Sequence, residues 1–417
     1  MNRKARGVLR PVLLICFTVS ALFGQDYSQR GFLETRFTLY PREAPNDRAH
    51  SVVEGLFRYE GFYKAAGSLQ INGAVDVRLD SHHQGDRQLD FSWWDRQQKR
   101  PLVAVRRLSG HYHTGGLSIE VGKQFIRWGK ADIINPTDRF APRDFLTVID
   151  NDFLGITAAR VTYERGSETI DAVWSPNITT SRIPLPDQRW VVVPGTLPNN
   201  VVFRDGGALY PASGHGGLRW NHVGVLEFSA SYYQGFNHLP SFESALSFNG
   251  NNVVVDLQSF YPRMKMAGMD AAIPLRWFGI KAEAGYFASS DPRADDYGQY
   301  VLQLERHVGE WTFVGGYAGE WVATDGTLTV DFAPDRGFSK TMLGSARYVI
   351  DTNRSISVET AIRQNADGGW VRAEYSQIFG QHWRATANFS IIRGEPTDFL
   401  GQYHRNSHGV LILRYSF

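Results

Sequence analysis

The sequence predicts an all-β protein, a transmembrane antiparallel β-barrel of about 18 strands, with 16 strands as the smaller alternative. Three observations predict this fold class: an export signal at the start, period-2 alternation along the rest of the chain, and connectors that alternate between short and long. Closure into a barrel leaves no unpaired strand edge, which is what a lipid environment requires.

The first residues have the pattern of a secretory signal peptide. Four basic residues lie among the first ten, residues 11–22 are apolar, and small residues follow. The apolar segment is too short to span a bilayer as a helix. We therefore expect residues 1–24 to be a signal peptide with cleavage near 21–24, which leaves residues 25–417 as a single β-barrel domain.

Composition excludes several classes of function. The only cysteine, Cys16, lies in the signal peptide, so we expect no disulfide and no thiolate metal site in the mature domain. Of the 44 basic residues four belong to the signal peptide, which leaves the domain nearly balanced against 42 acidic residues. No basic excess attracts nucleic acid. We predict no metal and no cofactor.

Alternation along the chain predicts strands with one apolar and one polar face. Residues 68–80 place Leu, Ile and Val on one face and Asn, Asp and Arg on the other. Residues 383–391 repeat the pattern. In residues 311–322, Trp311 and Trp321 are ten residues apart on one face, roughly 33 Å of strand. Tilted by about 40°, this spans the apolar band between the aromatic girdles of an outer-membrane barrel.

The connectors indicate which end of each strand faces outward. Short links such as "TGG" at 114–116 and "VGE" at 308–310 alternate with long polar ones. Outer-membrane barrels show this asymmetry, with short periplasmic turns and long extracellular loops. Counting strands between the connectors yields 18. Residues 217–234 and 251–274 cannot be divided into strands unambiguously, so a barrel of 16 strands remains the alternative.

Two kinds of segment resemble known outer-membrane proteins. The last strand, "GVLILRYSF", has Tyr415 and Phe417 at its end and looks like the C-terminal signature read by the barrel-assembly machinery. The stretch "GKQFIRWGKADIINPTDRFAPRDF", together with "YPRMKMAGMD" at 261–270, resembles porin-like barrels of Gram-negative bacteria, including relatives of the alginate-export type. The resemblance implies a barrel in the outer membrane that contacts the lipid bilayer and lipopolysaccharide. A homotrimer is left open.

A charged loop, residues 129–153, is the third outer loop on this count. In general porins the third loop folds into the barrel, and the resemblance implies an inward-folding loop here too. Pro136 and Pro142 prevent it from continuing as strand. The same charges could instead hold the loop to the rim without lining a path, and both readings stay open. The predicted constriction residues are Lys130, Asp132, Asp138, Arg139, Arg143 and Asp144.

Charged positions with the inward phase of the C-terminal strands predict a mainly basic arc of the pore wall. Earlier strands contribute a mixed to acidic arc. Arginine favours anions, and opposed arcs would create a transverse field. The alternative is that these charges only pair across strands inside a water-filled lumen. The predicted wall residues are Arg347, Arg363, Arg372, Arg384, Arg414, Glu359 and Glu374.

The predicted function is a porin-like outer-membrane channel for passive diffusion of small polar or anionic solutes. No nucleophile motif such as G-x-S-x-G is present, so we do not expect an enzyme. Alternatives are a plugged or partner-filled barrel with a structural role, for example a sheath for an electron-transfer protein, or a channel for hydrophobic solutes. The long outer loop at 177–215 is rich in proline, and we expect it either to cap the pore or to bind a partner outside the cell.

Overall fold

The computed structural model describes residues 26–89, 91–132, 134–192, 200–327 and 332–417. The predicted signal peptide, residues 1–24, lies outside the described residues. Among the described residues, the helices are α1, Pro334–Gly337, and a 3-10 helix, Gly401–Asn406. In the described part of the chain, no helix is long and apolar enough to cross a membrane.

Strands dominate the described chain. They are β1 (Tyr27–Leu39), β2 (Ser51–Ala66), β3 (Leu69–Asp80), β4 (Phe91–Ser92), β5 (Val103–Thr114), β6 (Leu117–Gln124), β7 (Arg143–Asp144), β8 (Asp152–Phe153), β9 (Ile156–Arg165), β10 (Glu168–Ser175), β11 (Val201–Leu209), β12 (His215–His222), β13 (Glu227–Phe236), β14 (Ser241–Asn249), β15 (Asn252–Phe260), β16 (Arg263–Pro274), β17 (Gly279–Ser289), β18 (Asp296–Val308), β19 (Trp311–Thr324), β20 (Thr341–Asp351), β21 (Arg354–Arg363), β22 (Gly368–Phe379), β23 (Trp383–Gly394) and β24 (His408–Ser416).

Eighteen of these strands form one closed antiparallel barrel, which confirms the predicted fold class and strand count. They are β1 to β3, β5, β6, β9, β10, β12, β13 and β16 to β24. The barrel closes where β1 pairs with β24, from Phe32 with Ser416 to Leu39 with Gly409. The two stretches that sequence alone left unpartitioned each contain parts of two strands, β12 and β13 in the first and β15 and β16 in the second.

The alternation places apolar side chains outside the barrel and polar ones inside. On β19, Trp311 and Trp321 are 41% and 48% exposed on the outer face. On β3, Ile71 faces outward while Asn72 and Asp76 are buried on the inner face. An outer surface of this kind would be unfavourable in water, so the barrel requires a lipid environment.

Connectors at the two ends of the barrel differ in length. Turns such as 115–116 and 309–310 are short, and the end of β24 lies on the same side, where the backbones of Gly31 and Phe417 exchange two hydrogen bonds of 3.0 Å. At the other end the barrel strands are joined by loops 1 to 9. These are residues 40–50, 81–102, 125–155, 176–214, 237–262, 290–295, 325–340, 364–367 and 395–407.

Two of the loops carry structure beyond the barrel. Loops 4 and 5 contribute β11, β14 and β15 to a separate three-stranded sheet, in the order β11-β15-β14. This sheet includes part of the predicted long loop at 177–215. Within loop 3, β7 and β8 form a short antiparallel pair.

Two neighbouring glycines on β19 provide a test of how closely the barrel strands pack. A Cβ at Gly316 would lie 2.6 Å from the Leu302 carbonyl oxygen, whereas a Cβ at Gly315 meets nothing within 4 Å. We expect Gly316→Ala to lower the free energy of unfolding by about 1–3 kcal/mol, because the neighbouring backbone would have to move away from the added methyl group. The matched Gly315→Ala change should stay within about 0.5 kcal/mol. Urea unfolding in lipid vesicles measures both, and equal effects would contradict the register.

Candidate functional site

One carboxylate of the inner wall, Glu283, holds the start of loop 3. Glu283 on β17 accepts hydrogen bonds from the backbone N–H groups of Lys130 (3.0 Å), Ala131 (3.2 Å) and Thr137 (2.8 Å). The Thr137 hydroxyl donates a fourth bond of 2.8 Å. Glu283 is 2% exposed. A buried carboxylate needs such donors, so this arrangement fixes the start of the loop against the wall.

A second carboxylate, Asp138, shapes the loop from within. It accepts the backbone N–H of Gly129 at 2.7 Å and the Arg127 guanidinium at 3.1 Å. Trp128 and Phe140, held by this turn, pack edge-on at a centroid distance of 5.0 Å. They belong to a buried cluster with inward-facing side chains of the wall. The wall residues of this cluster include Ala158, Val173, Tyr233, Met264, Met266, Phe287 and Tyr297.

Asp144 joins three loops through arginines. It accepts bonds from Arg100 of loop 2 at 2.8 Å and from Arg182 of loop 4 at 3.0 Å. Burial disfavours the ionised carboxyl, but the two guanidinium groups outweigh burial and hold the pKa of Asp144 well below its ordinary value. Arg182 also bonds Asp95 of loop 2 at 3.0 Å. The three loops therefore form one charged network over the mouth.

The end of loop 3 faces arginines on the inner wall. Asp150 pairs with Arg36 of β1, and Arg372 of β22 lies 3.8 Å away. Burial opposes ionisation of Asp150, yet these two guanidiniums lower its pKa. Asp152 behaves in the same way. Its pKa is lowered, against burial, by the arginines of β3 and β5.

The wall arginines around Asp152 come from three adjacent strands. Arg106 of β5 lies 3.0 Å from its carboxylate, Arg78 of β3 lies 3.3 Å away, and Arg58 of β2 lies 3.8 Å away. Asp76 on β3 also bonds Arg58, at 2.6 Å. One loop carboxylate is thus shared among several guanidiniums, a charge-assisted arrangement that orders both partners.

The opposite side of loop 3 faces a more acidic part of the wall. Lys130 lies 3.3 Å from Glu227 of β13 and 3.5 Å from Asp270 of β16. Asp132 nevertheless bonds Lys281 of β17 at 2.9 Å. The loop therefore turns carboxylates toward the arginines of β1, β2, β3, β5 and β22, and an ammonium group toward the carboxylates of β13 and β16.

One cavity lies on each side of loop 3. The first has a volume of about 300 Å³ and lies between Asp150 and Asp152 of the loop and β1 to β3. Its basic residues are Arg36, Arg58, Arg78, Arg100 and Arg414, and its acidic residues are Glu34, Glu54, Asp80, Asp150 and Asp152. The second, of about 330 Å³, combines Arg139 and Arg143 with apolar side chains such as Leu343 and Trp370. Asn151 borders both cavities.

The six predicted constriction residues have different surroundings. Asp138 and Asp144 are buried in bonds within and between loops, as described above, and Lys130 bonds the wall. Asp132, Asp138, Arg139 and Arg143 border the second cavity. Arg139 lies 3.4 Å from Asp335 of loop 7, and Arg143 donates to Asn151 at 2.9 Å.

The predicted wall residues have the inward phase but different surroundings. Arg372 donates to Glu374 at 3.0 Å, and Arg414 bonds Glu34 of β1 at 2.8 Å. Arg363 lies near the loop end of β21 and bonds Asp398 of loop 9 at 2.9 Å. Glu359 borders the second cavity. Arg347 and Arg384 are exposed and have no ion-pair partner within the described ranges of the chain.

Sequence reasoning did not select the arginines of the first strands. Arg36, Arg58, Arg78 and Arg106 lie on the inner wall beside Asp150 and Asp152. The alternation of β3 alone puts Arg78 on the polar face, so the phase of each strand could have found them.

The two residues of the predicted assembly signal lie at the β1–β24 seam. Tyr415 packs on Trp383 at 5.0 Å, and Phe417 stacks on Phe57 at 6.2 Å.

Solved structures of outer-membrane porins are similar to this chain in fold. OccAB3 of Acinetobacter baumannii aligns with a TM-score of 0.55 and 10% identity, over 94% of this chain and 99% of that chain. A BenF-like porin from Pseudomonas fluorescens Pf-5 aligns with a TM-score of 0.53 and 11% identity, over 95% and 99%. OccK2 (OpdF) of Pseudomonas aeruginosa, solved with glucuronate, aligns with a TM-score of 0.51 and 10% identity, over 95% and 97%.

No protein-family model and no curated protein matches the sequence. The fold is that of an outer-membrane porin, and the predicted location in the outer membrane is confirmed. Outer-membrane barrels have short periplasmic turns and long extracellular loops, so we expect the short turns to be periplasmic and loops 1 to 9 to be extracellular.

Replacing the carboxylate that anchors loop 3 should loosen the loop. In Glu283→Gln, an amide NH₂ group replaces one carboxylate oxygen and cannot accept hydrogen bonds from the backbone N–H groups that face it. We therefore expect roughly 10- to 100-fold less hydrogen-exchange protection at Lys130, Ala131 and Thr137. The control is Glu120→Gln, an inward-facing carboxylate that bonds Arg107 (2.8 Å) and Ser109 (2.6 Å) on its own sheet. Unchanged protection in Glu283→Gln would contradict the anchoring role.

Loop 3 should stay in place on acidification until the pH falls below the ordinary pKa range of aspartate. A lowered pKa stabilises the folded state above the ordinary aspartate value of 3.8, and this contribution is lost as pH falls through the lowered values of Asp144, Asp150 and Asp152. We expect loop 3 amides to stay protected from pH 7 to about 4 and to lose protection only below that range. Hydrogen exchange, corrected for its intrinsic pH dependence, measures this. A midpoint near pH 5 would contradict the ion pairs.

Proposed function

We propose that this chain is a passive outer-membrane channel for small polar solutes and that it favours anions. The observation that supports this best is the first cavity, about 300 Å³ of charged space between loop 3 and the inner wall. A space of this volume suits a small organic molecule. Its lining of guanidinium and carboxylate groups suits a hydrated, polar solute and disfavours a hydrophobic one.

The preference for anions is proposed to come from arginines that loop carboxylates do not neutralise. Arg347 on β20 and Arg384 on β23 have the inward phase, and both are exposed. Arg347 lies near the periplasmic end, four residues before the end of its strand, and Arg384 is the second residue of its strand. A solute that leaves the loop 3 region toward the periplasm would therefore meet uncompensated positive charge.

Carboxylates are the anion class that the arginines around Asp152 fit best. Arg58, Arg78 and Arg106 already surround a carboxylate of the chain itself, so a solute carboxylate could exchange with it at little cost in desolvation. The neighbour OccK2 was solved with glucuronate, a sugar carboxylate. This supports, for the present chain, a carboxylate of similar size as the first solute to try.

A plugged barrel is the second candidate, and one observation favours it. Val148 of loop 3, Trp190 of loop 4 and Tyr403 of loop 9 are buried together in a single apolar cluster over the mouth. Packing of this kind would stabilise a closed resting state. A sheath for an electron-transfer protein, contacts with lipopolysaccharide and the assembly machinery, and a homotrimer remain predictions. We propose no enzymatic activity, in keeping with the fold.

Single-channel recording in a planar bilayer separates the two candidates. We expect steady conductance and, under a salt gradient, a reversal potential on the anion side. Arg347→Gln combined with Arg384→Gln should reduce the anion-to-cation permeability ratio by roughly half, because uncompensated positive charge is removed from the wall. Arg354→Gln is the control, since Arg354 is exposed beside a periplasmic turn and pairs with Asp351 at 2.6 Å.

Two outcomes would contradict the proposal in different ways. No conductance from a folded, heat-modifiable barrel would reject the open channel and favour the plugged one. Conductance with cation preference, unaffected by the double substitution, would reject the role of Arg347 and Arg384 while leaving the channel intact.

A further inference from the structure

The outer face of the barrel has a recess between β18 and β21, and two glycines form its floor. Gly315 of β19 pairs with Gly344 of β20 in the antiparallel register. A Cβ at Gly315 would meet nothing within 4 Å, so the space above it is open. The recess has a volume of about 500 Å³, which is in the range of ligand sites. The glycine recess, as it is called below, has apolar walls formed by Phe278, Leu304, Phe313, Ala346 and Val358.

Strand register explains why the recess forms here. Outward-facing side chains at the same height on neighbouring strands are about 5 Å apart and normally cover the backbone between them. In the row that crosses β18 to β21, two of the four positions are glycines. The row consists of Leu304, Gly315, Gly344 and Thr360. The backbone is therefore bare between Leu304 and Thr360, and the recess is the space that two larger side chains would fill.

The recess lies inside the lipid-facing belt of the barrel. Trp311, at the short-turn end of β19, is 41% exposed on the outer face and marks one border of the belt. Gly315 is four residues further along the strand, which is roughly 13 Å, or about 10 Å along the membrane normal at a tilt of about 40°. This depth places the recess among the acyl chains of the leaflet next to the short turns. We expect that leaflet to be the periplasmic one, which consists of glycerophospholipids.

An arginine connects the recess with the border of the membrane. Arg306 borders the recess, and its guanidinium carbon lies 5.9 Å from the ring centroid of Trp277 in the short turn between β16 and β17. The guanidinium carbon of Arg276 lies 5.3 Å from the same centroid. Glu305, which also borders the recess, is already bonded by Lys281 at 3.1 Å. Among the described residues neither Arg306 nor Arg276 has an ion-pair partner, so both guanidiniums can bind an anion of the membrane.

We propose that the glycine recess binds one glycerophospholipid. One acyl chain lies over Gly315 and Gly344, and the phosphate binds Arg306, with Arg276 beside it. Lipid tails gain little hydrophobic free energy when they exchange lipid neighbours for an apolar protein surface. A chain is therefore retained where the surface matches its shape, because close packing adds dispersion contacts. The two guanidiniums add charge complementarity, since their planar N–H groups match phosphate oxygens.

The wall of the barrel is thin where the acyl chain lies. Val314, Gly344, Ser345 and Thr360 border both the glycine recess and the second cavity. Backbone and small side chains therefore separate lipid from the lumen at this height. An acyl chain against the bare backbone supplies the packing contacts that larger side chains would otherwise make. The bound lipid thus completes the packing of β19 and β20, whatever solute the pore conducts.

Native mass spectrometry of the mature protein tests the site by counting the lipids that each variant retains. The probe is dioleoyl phosphatidylglycerol, and dioleoylglycerol is the matched lipid without a phosphate. Gly315→Leu fills the recess, and its control is Gly73→Leu, an outward glycine of β3 where a Cβ has an ordinary contact of 3.9 Å. Arg306→Gln removes the phosphate partner. Its control is Arg354→Gln, because Arg354 lies at the same border but already pairs with Asp351 at 2.6 Å.

Wild type is expected to retain one phosphatidylglycerol per chain. Arg306→Gln should lower the retained fraction roughly fivefold, which is the contribution of one basic group at an anionic surface. Gly315→Leu should lower it by a similar factor, because the added side chain occupies the place of the acyl chain. Both controls should stay within about twofold of wild type, since an exposed ion pair contributes little.

Four results would overturn the proposal. Equal retention by wild type, Gly315→Leu and Arg306→Gln would show that only exchanging bulk lipid covers the recess. Equal retention of dioleoylglycerol would show that the phosphate is not recognised. Lipopolysaccharide retained in place of phosphatidylglycerol, or a dimer that is lost in Gly315→Leu, would show that the occupant is a different one. If Gly315→Leu does not fold into a heat-modifiable barrel, Arg306→Gln and the comparison of the two lipids decide the test.

Discussion

The position of loop 3 depends on charge complementarity with the inner wall. Asp150 and Asp152 face the arginines of β1, β2, β3, β5 and β22, while Lys130 faces Glu227 and Asp270. Charges that leave bulk water must be paired, because an uncompensated buried charge costs several kcal/mol. A loop shifted by one residue would put uncharged neighbours such as Asn151 in these places and leave the wall charges unpaired. The loop is therefore confined to one arrangement, and the two cavities take their shape from it.

This arrangement links stability to transport. The guanidiniums that neutralise the loop carboxylates are also the groups that a passing carboxylate would contact, so the wall is organised before a solute arrives. Apolar clusters among loops 3, 4, 7 and 9 add rigidity above the charged region. Ion pairs set the lateral position of the loop, and buried side chains such as Trp190 and Leu400 cover it from outside.

Much of the barrel could be predicted because alternation is a local signal. Trp311 and Trp321, ten residues apart, indicated both the outer face and the membrane thickness, and connector lengths separated the two ends of the barrel. Strand phase also predicted that Arg372 and Arg414 face inward, and in the structure these two arginines bond Glu374 and Glu34. These conclusions needed only the order of residues within one strand and its two connectors.

Contacts between distant loops could not be predicted in this way. Asp144 bonds Arg100 and Arg182, and neither pairing follows from spacing along the chain. The sheet of β11, β14 and β15 joins two different loops through a parallel pair, which no single loop sequence encodes. The bond from the Gly129 N–H to Asp138 was not predictable either, since only the folded loop shows which backbone N–H groups surround this carboxylate.

The most direct test of the account is the size dependence of solute uptake by proteoliposomes. Swelling rates are compared for a monosaccharide, a hexuronate and a trisaccharide. Loop 3, held against the wall, predicts rapid entry of the first two, with the hexuronate at least as fast as the neutral sugar, and strongly reduced entry of the trisaccharide. Entry of the trisaccharide at the same rate, or no swelling with any solute from folded protein, would contradict a pore narrowed but left open by loop 3.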